Sequence, residues 1–110
     1  MSLFELESAE DFKTFISQDK LNLVEFYGPR PNQGPSLDRI MDDLARDYAA
    51  AVQIGKISFG NVDTYQISDE YEIERLPTFI FFKNGEIVDK VEGSDPLKVF
   101  RKIQHHGHTI

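Results

Sequence analysis

Two near-continuous apolar runs, 21–27 and 76–82, stand out along this chain, with segments of helical spacing around and between them. In the first run Leu23, Val24, Phe26 and Tyr27 fall on both faces of an extended segment, which predicts a central strand covered on both sides. Glu25 is the one charge inside it. Ahead of it, Phe4 and Leu6 alternate with Glu5 and Glu7, an edge strand. Ser8 reads as an N-cap, and Phe12, Phe15 and Ile16 give one face of a short helix ending near residue 18. Beyond the first run, Leu37, Ile40, Met41, Leu44 and Tyr48 carry helical spacing opposite Asp38, Arg39, Asp42, Asp43 and Arg46. That predicts an amphipathic helix over 36–50, with Ser36 at or near its cap. A second buried strand follows over 52–59, with a phase change at Gly55 that suggests a bulge. A turn at 60–63 leads to a short helix over 66–73, with Ile67, Tyr71 and Ile73 inward.

The second apolar run ends in an Asn84-Gly85 hairpin turn, and 86–92 returns antiparallel with Ile87, Val88 and Val91. Ser94 or Asp95 caps a last helix with Pro96 near its first position, buried through Leu97, Val99, Phe100 and Ile103 and stopped at Gly107. The order β-α-β-α-β-α-β-β-α predicts an α/β class, with a mixed five-stranded sheet and helices on both faces.

With 110 residues, 40% of them hydrophobic, and nine Phe beside four Tyr, one ordered domain is expected. Residues 1–3 read as cloning-derived and 105–110 as a tail. A formal charge of −7 repels phosphate backbones and anionic lipid, so neither nucleic acid nor membrane is expected as a partner. No apolar run is long enough to span a bilayer and no leader is visible, so a cytoplasmic location is the default. A monomer is expected. The absence of cysteine excludes disulfides, thiolate metal sites and every reaction of a protein thiol.

Chemistry is expected where the first strand passes into the long helix, because open α/β sheets bind ligands at such junctions. The connecting loop, 28–35, holds two glycines and three prolines and offers only Arg30, Asn32 and Gln33 as polar side chains. It contains no nucleophile. At the other end of the chain, His105, His106 and His108 flank Gly107 on a terminal segment, a spacing that does not preorganise tetrahedral ligands. No metal or other cofactor is expected.

The element order, together with Leu76-Pro-Thr-Phe-Ile-Phe-Phe-Lys-Asn-Gly-Glu86 and the turn at Asn61-Val-Asp63, resembles the thioredoxin family over nearly the whole chain. The resemblance implies a thioredoxin fold. It places the family's two catalytic cysteines at Pro31 and Gly34, its tryptophan before the first of them at Arg30, and its helix-kinking proline at Arg39. With every neighbour changed as well, the loop looks like natural divergence. The resemblance also implies a cis proline at Pro77 and a groove beside it bordered by Gly93. Tyr27, Arg30, Asn32, Gln33, Leu76, Pro77 and Gly93 are therefore candidates for holding an extended peptide. Two readings stand for Pro77: it borders a binding groove, or it only shapes a strand. Arg30 either pairs with an anionic group on a partner or solvates its loop.

Glu25 falls at the family's buried acid, and the lysine that many members place nearby corresponds to Phe59. Glu25 is then either a vestige or, the favoured reading, a carboxylate long enough to reach water or a local donor. Without thiols, intrinsic disulfide oxidoreductase activity is not expected, and the functional expectation is a redox-inactive adaptor or chaperone-like module. The alternatives are redox work through an external thiol such as glutathione, and a purely structural domain of a larger assembly.

Overall fold

A computed structural model describes residues 3–28 and 34–107. Among these, the chain runs β1 (Leu3–Glu5), α1 (Ala9–Ile16), β2 (Asn22–Tyr27), α2 (Gly34–Asp47) and β3 (Gln53–Ser58). It continues through α3 (Tyr65–Glu70), β4 (Thr78–Lys83), β5 (Glu86–Glu92) and α4 (Pro96–His106). The sheet order is β1-β3-β2-β4-β5, with β1 and β2 parallel to β3, and with β4 antiparallel to both β2 and β5. This is the thioredoxin fold. β2 lies at the centre, which is why its apolar residues occupy both faces.

Each face carries its own core. On one, Leu23, Phe79, Phe81 and Val91 of the sheet meet Leu37, Met41 and Leu44 of α2 and Val99 and Ile103 of α4. On the other, Val24, Phe26, Ile57, Ile80 and Phe82 meet Phe12, Phe15 and Ile16 of α1 and Ile67 of α3. Each fully buried phenylalanine contributes about 1.5–3 kcal/mol of transfer free energy. Phe12 is the hub of the second core. Its ring sits edge-on to Phe82 at 5.6 Å and also packs on Phe26 and Tyr71, so one side chain joins α1, the sheet and the segment after α3.

Local chemistry sets the ends. The Asp11 amide donates to Ser8 Oγ at 3.0 Å, the Lys98 amide donates to Asp95 at 3.1 Å, and the Gly107 amide closes α4 on the Ile103 carbonyl at 2.7 Å. The cap of α4 is therefore Asp95 and not Ser94. Between α1 and β2, the buried Asn22 amide donates to the carbonyls of Ile16, Gln18 and Lys20, replacing the water those groups lose.

Several expectations need correction. α2 begins at Gly34, two residues earlier than expected, which puts Ser36 in its first turn. The helix is unbroken through Arg39 and ends at Asp47, short of residue 50. No bulge occurs at Gly55, through which the register with β1 and β2 runs unshifted. A Cβ there would lie 3.0 Å from the Phe15 ring and 3.2 Å from the Phe4 carbonyl, so close packing of α1 explains the glycine. The irregularity lies between Phe81 and Phe82 in the β4–β5 pairing.

α3 stops at Glu70 because Glu72 adopts a left-handed backbone, φ 52°, and Ile73 folds back to donate to the Ser68 carbonyl at 2.9 Å. β4 starts at Thr78, since proline has no N–H for the ladder. Ile40, Ile87, Val88 and Leu97 are exposed, and Phe59 lies just past the end of β3. No helix among the described residues is long and apolar enough to cross a membrane.

Candidate functional site

The carboxyl end of β2 and the amino end of β4 meet at a short edge. The Leu76–Pro77 peptide bond is cis, and the Pro77 carbonyl accepts the Gly93 amide at 2.8 Å. Gly93 sits at φ +93°, a backbone open to glycine at little cost. Thr78 anchors the turn from inside, its hydroxyl donating to the Arg75 carbonyl. At the end of β2, a Cβ on Gly28 would come within 2.9 Å of Leu76 Cδ1, so the glycine lets that side chain close over the strand end. The structure thus brings Gly28, Leu76, Pro77 and Gly93 together. Tyr27 stands one position beyond the Phe26–Thr78 pair, but its hydroxyl is committed to Glu5 Oε2 at 2.9 Å. Burial, that bond and the nearby acidic charges raise its pKa to about 12.

Behind this edge lies a charged row. Glu5, Lys56 and Glu25 are register partners across β1, β3 and β2. Glu25 is 2% exposed, and its Oε1 has no hydrogen-bond partner within the chain. One correction concerns its cation, which is Lys56 on the adjacent strand, while Phe59 at the anticipated position is apolar. Burial pushes the Glu25 carboxyl up to about 7, partly opposed by Lys56 and reinforced by Asp38 and Glu5. Lys56 also lies 4.8 Å from the Tyr27 ring centroid. Lys56 is the sole charge of its strand in the sequence, a signal that acquires meaning only with the β2–β3 register.

Arg30, Pro31, Asn32 and Gln33 lie outside the described residues, as does His108. Gly34, where the resemblance places the second cysteine, is the first residue of α2. His106 pairs with a carboxylate: its Nε2 lies 2.8 Å from Asp89 Oδ2, to which Lys102 Nζ also comes within 2.9 Å. Burial pushes the Asp89 carboxyl upward, but hydrogen bonds from Lys102, His106 and the Lys90 amide outweigh it and hold it at about 2. Among the described residues no group of three metal-ligating side chains converges.

The protein-family model described as Thioredoxin matches residues 3–105. The thioredoxin of Malassezia sympodialis is 35% identical over 108 residues, which cover 92% of this chain and 95% of that protein. The crystal structure of Malassezia sympodialis thioredoxin superposes with a TM-score of 0.84 at 29% identity, covering 97% of this chain and 92% of the other. A thioredoxin from Trypanosoma brucei brucei, 24% identical, shares the fold with a TM-score of 0.85 over 94% of this chain and 89% of its own. Glutaredoxin-3 of Mus musculus is 28% identical over 96% of this chain, which spans only 31% of that longer protein.

Proposed function

The chain belongs to the thioredoxin family, and from that premise we propose that it acts by binding and not by thiol chemistry. It holds an extended protein or peptide segment along the edge formed by Gly28, Leu76, Pro77 and Gly93, as an adaptor or chaperone-like module. Disulfide exchange needs one thiolate to attack and a second thiol to resolve, and this chain has no cysteine. Docking of an extended segment uses backbone polarity and side-chain pockets, and requires no sulfur. The observation that supports the reading most is that this edge is fully built: Pro77 is tied to a left-handed Gly93, and Leu76 closes over Gly28.

A peptide array probed with the wild-type protein and with Pro77→Ala tests the proposal. Signals lost in the variant are expected, and equal signals from both proteins overturn it. A second reading, redox work through an external thiol such as glutathione, draws support from relatives named thioredoxin and glutaredoxin-3. Insulin reduction with glutathione separates the two: turnover above the buffer rate favours the second.

A further inference from the structure

Between the end of β3 and α3 lies a cleft of about 770 Å³ that none of the chemistry above uses. Two aromatic side chains stand open at it, Phe59 at 39% exposed and Tyr65 at 53%. Asp69, Glu72 and Glu74 also line it, with no lysine or arginine among the lining residues. These three carboxylates enter no ion pair among the described residues. The left-handed turn at Glu72 brings the chain round so that the carboxylates before and after it share one wall. Ser68 belongs to the same wall. It is 3% exposed, and its Oγ has no hydrogen-bond partner. Buried hydroxyls are nearly always satisfied, so this one leaves a hydrogen-bonding group unused beside the cleft.

We propose that this cleft receives an arginine side chain of the bound segment, its guanidinium held by Asp69, Glu72 and Glu74, flanked by the Phe59 and Tyr65 rings, and donating to Ser68 Oγ. An anion is repelled by the three carboxylates, and a neutral side chain leaves them without a counter-charge. Arginine suits the cleft better than lysine. Its planar group packs on aromatic faces, and its five fixed N–H donors serve several acceptors at once. The net charge of −7 favours approach of a basic segment from a distance.

The inference rests on the binding reading above and specifies the partner: an extended segment with an arginine. The experiment is an NMR titration of the full isotope-labelled chain with short capped serine–valine peptides that differ at one central residue: arginine, lysine, glutamine or glutamate. The arginine peptide is expected to shift the Tyr65, Ser68, Glu72 and Ile73 amides saturably, lysine to bind more weakly, and the other two to leave them unmoved. Glu72→Gln with Glu74→Gln, both at exposed positions, is expected to weaken the arginine peptide about tenfold. Equal affinity for arginine and glutamine, or arginine shifts confined to other residues, overturns the proposal. Shifts at Thr78 and Gly93 common to all four peptides report the Pro77 edge separately. If they are absent while the cleft responds, it is the edge reading that fails and the cleft that stands.

Discussion

Glu25 and Asp89 are two carboxylates whose surroundings act on them in opposite directions. Glu25 is raised to about 7 by burial, so between its ordinary 4.5 and 7 the folded chain holds a proton that the unfolded chain has released. Its contribution to stability is therefore lost as pH rises through that window. Glu25→Gln is expected to be nearly neutral at about pH 4.5 and stabilising by about 2–3 kcal/mol near pH 8, read from urea unfolding at both. The same gap at both pH values would refute this. Asp89, held at about 2 by Lys102 and His106 once its burial is outweighed, contributes stability above its ordinary 3.8 that is lost as pH falls through 2. Asp89→Asn is expected to cost about 1–2 kcal/mol at neutral pH, a cost that fades in the same acid range. At this scale the sequence revealed Glu25, because a charge inside an apolar run is conspicuous. It concealed Lys56, Glu5 and the Asp89 cluster, because each of these relations joins residues distant in the chain.

Periodicity made the elements legible in order and type, while their ends and the width of their buried faces depended on neighbours that pattern alone does not show. Helical spacing placed Ile40 and Leu97 inward, yet both are exposed: spacing gives the direction of a face and not how far the adjoining sheet extends beneath it. The start of α2 was hidden by Gly34 and Pro35, which read as loop although proline is well tolerated in a first helical turn. Gly55 looked like a bulge because a phase change and a close packing contact leave the same mark in sequence. Asn22 reads in sequence as an ordinary polar residue in a strand, although its amide reaches three carbonyls at the α1–β2 connection. Asn22→Ala is expected to cost about 1–2 kcal/mol in thermal or urea unfolding, since the Lys20 carbonyl loses its donor while the Ile16 and Gln18 carbonyls keep backbone N–H partners. A loss within experimental error would show that water replaces the amide.

For the molecule as a whole, net charge and the acidic cleft point the same way. Association with an arginine peptide is expected to weaken as salt rises, because the Debye length shortens from about 30 Å at 0.01 M to about 10 Å at 0.1 M. Titrations at the two ionic strengths check this, and an unchanged affinity would mean that contact chemistry alone drives binding. The fold was legible from element order and a single turn motif. The cleft was not, although its walls all come from residues 59–74, because the fold-back after α3 and the unmet Ser68 hydroxyl exist only in three dimensions. The bond from the Gly93 amide to the Pro77 carbonyl carries one more consequence. The Gly93 amide is spent within the chain, so at that point an incoming strand is met only by the second lone pair of the Pro77 carbonyl. With one backbone donor fewer to guide it, a guest leans more on its own side chains for register, and some selectivity for sequence comes built into the doorway.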